Sequence, residues 1–270
     1  MKDSGIQAPT QSVVRALTIL SCFSDEQPEV RVSDVAKQLD LTISNVSRLL
    51  ATMEAMGYVE KDELSGFYRL GTKIVTLGGI ALNNYDIRKQ ALPELHALEQ
   101  QLGLGANLAM LKENQIFYLA HVDSHHSPRM YTLIGRSNPL HCTGIGKVLL
   151  AHMGSDQLEK ALSSDQLFAY TSKTLTSKEQ LMEQLQWIRE RGYAMEDEEL
   201  ALGRACLAAP VRNRMGDVIA GISISGSLSE IRLEQREQEL SRILIEVSDH
   251  ISMKMGYITS SSHSNRLLNP

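Results

Sequence analysis

The stretch VSDVAKQLDLTISNVSRLLATMEAMGYVEKDELSGFYRLG, residues 32–71, constrains the fold most tightly. Val35, Ala36 and Leu39 share one side of a short helix, with Ser33 placed to cap it. Thr42 caps a second helix, which runs to about Met56 and stops at Gly57. Leu41, Ile43, Val46, Leu49 and Leu50 carry its apolar pattern. Two β-prone runs follow, YVEKD and FYRLG, on either side of ELSG. They read as a hairpin with Gly66 in the turn. Upstream, QSVVRALTILSCFSD gives a helix that EQPE ends, with Val13, Val14, Leu17, Leu20 and Cys22 or Phe23 able to share one face. Helix, helix, tight turn, helix and hairpin is the order of a winged helix-turn-helix. In that geometry the helix after the turn enters a DNA major groove and the hairpin lies along the phosphates.

The helix after the turn carries Thr42, Ser44, Asn45, Ser47 and Arg48 within seven positions. A polar helix face is ordinarily a solvated face, and capping accounts for Thr42 and at most Ser44. Neither idea explains Asn45 and Ser47, residue types mildly unfavourable inside a helix. With a hairpin next in line, the set becomes a candidate for base-edge contact, Asn being suited to adenine. Arg48 suits a phosphate or a guanine, and Lys61 and Arg69 on the hairpin suit the phosphate backbone. Charge sets a limit. The chain carries a net −5, and residues 1–72 hold seven Lys and Arg against ten Asp and Glu. DNA binding must therefore rest on a few locally placed cations.

Past this module, GTKIVTLGGIALNNYDIR, residues 71–88, reads as a bridging helix, and ALPELHALEQQLG as an amphipathic one. After Gly103, ANLAMLK, QIFYLAHVD and RMYTLIG alternate as strands do. Helices are expected near Ile145–His152, Gln157–Leu162 and Ser177–Arg191. Two strands follow, CLAAPVRN and DVIAGISISG, with Met215 and Gly216 in the turn between them. A last helix spans about Ser229–Met255. Residues 258–270, TSSSHSNRLLNP and the residue before it, have little to pack and read as a disordered tail. The expected fold is α+β with an antiparallel sheet in the second domain. The divisions are 1–72, a linker helix over 73–88, a second domain over 89–257, and the tail.

In the second domain, HCTGIGKVLL sets a glycine-rich turn before an apolar helix. It is not a mononucleotide P-loop, since Gly144 and Gly146 are one residue apart and Val148 follows Lys147. Two readings stay open: a helix N-terminus able to hold a carboxylate or phosphate, or a turn that needs glycine for its backbone angles. In GISISG, Ser223 and Ser225 point to one face of a strand. Two hydroxyls on a buried strand need partners, from a small polar ligand, from backbone or from water. The hydrolase elbow GxSxG is not met, because Ser225 fills its second glycine position. EDEE, Glu196 to Glu199, reads as a solvated acidic loop. His121, His125 and His126 cluster in a β-loop, but without the four ligands of a closed zinc site they read as solvated.

The order and spacing of these segments resemble those of the IclR-type transcriptional regulators of bacteria. The resemblance is carried by QSVVRALTIL, the run from VSDVAKQLD to YVEKD, GFYRLGTKIVTLG, NPLHCTGIGKVLLA, RERGYAMEDEE and IAGISISGSLS. RMYTLIGRSNPL followed by TGIGKVLLA is most similar to the KdgR-like branch. The resemblance implies a winged helix-turn-helix joined by a linker helix to a GAF-like effector-binding domain. It implies operator DNA and a small carboxylate effector as partners, and a homodimer or a dimer of dimers. By position it implies backbone contacts to the effector from Gly144 and Ile145. It implies side-chain contacts from Glu196, Cys206, Ser223 and Ser225. Met130 and Tyr131 would border the pocket, and Arg129 would either pair with a carboxylate or lie at the surface. The branch suggests a 2-oxo sugar acid such as 2-keto-3-deoxygluconate, and repression of a catabolic operon. The chain departs from the family in places. Ile43 stands where a basic residue is usual, and Ser44 and Asn45 where Ser-Thr is common. Glu196 replaces the usual Asp. Ala205 precedes the cysteine where Arg or Ser is common, with Arg204 one earlier.

The competing reading is a small-acid hydrolase or isomerase using Cys206 or Ser225 as nucleophile. It needs a base within hydrogen-bond reach, and the sequence shows none. No cofactor, metal or membrane span is expected: no run of about 18 apolar residues exists. Three scattered cysteines, Cys22, Cys142 and Cys206, do not form a disulfide framework. MKDSGIQAPTQ lacks a secretory core. A reducing cytoplasm is the expected home.

Overall fold

The computed structural model describes residues 10–125, 134–162 and 167–258. The chain forms two compact units, Met1–Asn84 and Tyr85–Pro270.

The first unit runs α1 (Gln11–Leu20), β1 (Glu29–Val30), α2 (Val32–Gln38), α3 (Ile43–Ala55), β2 (Val59–Lys61), β3 (Tyr68–Leu70) and α4 (Thr72–Asn83). The hairpin β2–β3 is present, and Glu60 pairs with Arg69 across it. Its turn is tied by Asp62 Oδ1, which accepts from the Leu64 and Ser65 backbones, with Gly66 at φ 73°. The core holds Ile19, Val30, Val35, Val46, Leu50 and Val59, all buried. Burying a side chain of this kind contributes about 1.5–3 kcal/mol.

The structure departs from the sequence reading at four places. Of the residues able to share one face of α1, Val13, Val14 and Leu17 are exposed. α1 buries Ile19 instead, because the helix is apolar on two sides and only one meets α3. Ser33 is not the cap of α2: Arg31 holds the extended N-cap position, and Ser33 donates to Asp34 Oδ1 at 3.1 Å. EQPE leads into a short strand, β1, that pairs with β3. The helix expected over 71–88 ends at Asn83, and Asp86–Arg88 belong to the next one.

The second unit begins with α5 (Asp86–Leu102), β4 (Gly105–Lys112), β5 (Gln115–Val122), β6 (Ser137–Pro139) and α6 (Gly144–Ala151). It continues with α7 (Ser155–Ala161), α8 (Lys178–Arg191), β7 (Ala194–Asp197), β8 (Arg204–Arg212) and β9 (Val218–Ser227). It closes with α9 (Leu228–Ile231) and α10 (Leu233–Lys254). The six strands form one antiparallel sheet in the order β6-β5-β4-β9-β8-β7. α10 packs on β8 and α5 on β4. α6 lies on the sheet as well, against β8 and β9. The expected last helix is interrupted at Arg232, whose φ is 46°.

EDEE is not a solvated loop. Glu196 lies in β7 at 2 % exposure and Glu199 at 6 %. Both carboxylates have internal partners, which is how charged groups become buried. Of RMYTLIG, residues 129–133 lie outside the described residues, as do His126 and the expected tail from 259 onward. Among the described residues no helix is long and apolar enough to cross a membrane.

Candidate functional site

α3 starts on its cap: Thr42 Oγ1 accepts from the Asn45 backbone N–H at 3.3 Å. Val46, Leu50 and Met53 form its buried side. Spacings of three and four residues then place Ser44, Ser47 and Arg48 together on the outer side, all exposed. Asn45 is half-buried. Ile43 is 63 % exposed and does not take part in the core its apolar character suggested. On the hairpin, Lys61 is exposed. Arg69 is also exposed but engaged, with Nη2 3.0 Å from Glu60 Oε2. The exposed pair is worth little in itself, so the guanidinium can exchange partners cheaply.

In the second unit the register assembles a row of polar groups. Directly opposed residues share a sheet face. His121 opposes Asn107, Asn107 opposes Ser223, Gly105 opposes Ser225, Ser225 opposes Cys206, and Cys206 opposes Glu196. The row thus crosses β5, β4, β9, β8 and β7. α6 lies on this face: a Cβ on Gly144 would fall 2.9 Å from Cys206 Sγ, and one on Gly221 would fall 2.9 Å from Ile145 Cγ2. Gly144, Ile145, Glu196, Cys206, Ser223 and Ser225 are therefore together. Met130 lies outside the described residues, with Tyr131 and Arg129.

The glycine turn is built for space rather than angle. Neither Gly144 nor Gly146 has a positive φ. A Cβ on Gly146 would sit 2.2 Å from Leu140 O. Thr143 caps α6, accepting from Gly146 N–H at 3.2 Å and donating to the Pro139 carbonyl at 2.8 Å. The Gly144 N–H faces the Cys206 sulfur. The Ile145 N–H has no partner among the described residues.

Electrostatics hold the row in place. Glu196 Oε1 accepts from the Glu199 and Leu200 backbones at 2.8 and 3.2 Å. Lys147, wholly buried, donates to Glu199 Oε1 at 2.5 Å and to Gln184 Oε1 at 3.1 Å. Burial nevertheless holds the Glu199 carboxyl above the usual range, against the pull of Lys147. Burial also pushes the Cys206 thiol up, and the Glu196 carboxylate adds to it. Cys206 is thus kept as a thiol and is a poor nucleophile. Ser225 faces the Asn107 amide, which is no base. The hydrolase reading finds no support in this arrangement. Tyr118, also buried, has its hydroxyl pushed up to about 12 by burial.

Three residues of this face escaped sequence reasoning: Asn107, His121 and Arg204. His121 was read as solvated, but its side chain is only 12 % exposed and bridges Asn107 Oδ1 and Asp123 Oδ1, each at 2.8 Å. Arg204 sits two residues before Cys206, and its buried Nε has no hydrogen-bond partner among the described residues. The signal for Asn107 was alternation: it lies two places along β4 from Ala109, which packs inward, whereas a register shift between β4 and β5 breaks that count at His121. His125 is elsewhere, on Glu99 at 2.8 Å.

Two family models match the chain. The IclR helix-turn-helix domain covers residues 12–63. The bacterial transcriptional regulator IclR C-terminal domain covers residues 79–253. This chain belongs to the IclR family of bacterial transcriptional regulators. Its first unit carries the family's DNA-binding helix-turn-helix, and its second is the family's C-terminal effector domain. Among curated relatives, the Escherichia coli regulator XynR is 36 % identical over 244 residues, spanning 87 % of this chain and 97 % of its own. The Escherichia coli regulator KdgR is 37 % identical over 246 residues, spanning 91 % and 93 %. The crystal structure of the Thermotoga maritima IclR superposes with a TM-score of 0.78 at 28 % identity, covering 91 % of this chain and 99 % of that one. These relatives are named regulators, and this IclR-family chain is a transcription factor rather than an enzyme.

Proposed function

We propose that this IclR-family protein represses a catabolic operon in the cytoplasm and releases its operator on binding a small carboxylate, of which 2-keto-3-deoxygluconate is the leading candidate. One observation carries the effector reading: two buried serine hydroxyls and a buried guanidinium Nε lie on one sheet face without using all their donors. Buried donors without acceptors are costly, at roughly 1–3 kcal/mol each, and an anionic ligand relieves that cost. Ser223, Ser225, the Ile145 N–H and Arg204 supply the donors. Glu196 and Cys206 close the far end of the row.

For DNA, Ser44, Asn45, Ser47 and Arg48 address base edges, with Thr42 near the first phosphate. Lys61 and Arg69 lie along the backbone. Ile43, exposed at the start of the same helix, suits the methyl group of a thymine. The exposed stripe Val13, Val14 and Leu17 on α1, with Val75 and Ile80 on α4, supports pairing of two copies. A homodimer reads two half-sites a whole number of helical turns apart. Pairing of dimers into tetramers is compatible with this.

Mobility-shift assays on the DNA flanking its own gene test the reading. A retarded band dissolved by millimolar 2-keto-3-deoxygluconate is expected. A band unmoved by every member of a panel of 2-oxo sugar acids removes the effector assignment.

A further inference from the structure

Ser223 and Ser225 are 4 % and 5 % exposed, so each hydroxyl must have its bonds met inside the protein or by a ligand. Their oxygens are met by one group. Asn107 Nδ2 donates to Ser223 Oγ at 3.2 Å and to Ser225 Oγ at 3.4 Å. An amide NH2 has two hydrogens, one for each oxygen. Neither serine hydroxyl donates to any described residue. The amide is held this way round from behind. His121 Nδ1 stands 2.8 Å from Asn107 Oδ1, and His121 Nε2 stands 2.8 Å from Asp123 Oδ1. Both ring nitrogens face oxygens, and in this orientation of the amide a ring N–H on Nδ1 donates to Asn107 Oδ1.

Resting on the reading of this face as the effector site, we propose that Asn107 is a positioning residue. It fixes the hydrogen-bond polarity of Ser223 and Ser225, with His121 and Asp123 holding its amide in place. Both serines then present O–H rather than lone pairs. The subsite takes a group rich in acceptors, a carboxylate or 2-oxo oxygen, and refuses a primary amide or ammonium in the same position. Turning the Asn107 amide over would give Oδ1 to the serines. Both hydroxyl hydrogens would be consumed and the preference reversed. Selectivity at the serines is thus written on β4 and β5.

Calorimetry on the full chain tests this, with pyruvate and 2-keto-3-deoxygluconate each compared with its own primary amide. The wild type binds the acid over the amide. Asn107→Asp offers the serines only acceptors, so acid affinity falls about 100-fold, the scale of a charged hydrogen bond lost, while the amide changes little. Equal weakening of acid and amide, or none, overturns the polarity assignment. Should Asn107→Asp fail to fold, Asp123→Asn serves in its place, since Asp123 is half exposed. It lowers the acid-to-amide ratio at least threefold, and an unchanged ratio overturns the proposal. Ser223→Ala with Ser225→Ala separates the two levels. If that pair weakens acid binding while Asn107→Asp leaves the ratio intact, the effector site stands and the polarity role falls. If no acid binds the wild type, both fall.

Discussion

The outer face of α3 and the α6-side face of the sheet both look in the sequence like small polar residues at regular spacing. They are solved in opposite ways. Ser44, Ser47 and Arg48 stand in water, and folding asks nothing of them. Asn107, Ser223 and Ser225 are buried, and folding must provide their partners. The contrast teaches where a substitution will be felt. On α3 it changes what the protein binds. On the sheet it changes binding and stability together.

The hardest push on this contrast is at Lys147. Lys147→Ala leaves the Glu199 carboxylate buried without its cation, at a cost of about 3–5 kcal/mol. The fluorescence of Trp187, the single tryptophan, reports the melting of the second unit. A double change, Lys147→Met with Glu199→Leu, recovers most of the loss; a double variant no more stable than Lys147→Ala contradicts the pairing. Next comes Arg48→Ala. It weakens operator binding by about 1–3 kcal/mol with an unchanged melting curve. Loss of fold would place Arg48 among the structural residues. Thr42→Ala sits between the two regimes, because its hydroxyl caps α3. About 1 kcal/mol of stability is lost in denaturant titration of the first unit. No loss at all would return Thr42 to the purely DNA-facing set.

The smallest effect concerns Glu94, whose carboxyl is held below the usual range by Lys254 at 2.6 Å, with His250 at 3.4 Å. A lowered carboxyl stabilises the fold above its ordinary range, and that contribution fades as pH falls through the lowered value. Glu94→Gln is therefore slightly less stable near neutrality, and its acid melting curve merges with that of the wild type. Curves that diverge on acidification would reverse the sign.

Legibility followed locality. The α3 face was readable because its cap, buried side and outer side all lie within residues 42–53. The serines were readable as a pair on one strand. Their partner was not, because Asn107 is 116 residues from Ser223 and meets it only through the register of β4 on β9. EDEE misled because four acids in a row look solvated. Two of them are buried: Glu199 meets Lys147, 52 residues earlier, and Glu196 accepts from backbone N–H groups of its own turn. α1 misled for another reason: Val13, Val14 and Leu17 are apolar, but among the described residues of the first unit they stay exposed. β7 was missed because a four-residue strand carrying two acids shows no alternation.

The sheet order has a consequence during synthesis. β4-β5-β6 and β7-β8-β9 are two runs of neighbours, and among the described strands they are joined by β4 on β9. On the ribosome, β4 emerges with one edge bare, and its cover is more than a hundred residues behind. At common elongation rates of about 5–20 residues per second, that edge waits on the order of ten seconds. Asn107 stands on it through the whole interval. A hydrophilic amide at that place makes the waiting edge a poorer template for a stray strand from another chain.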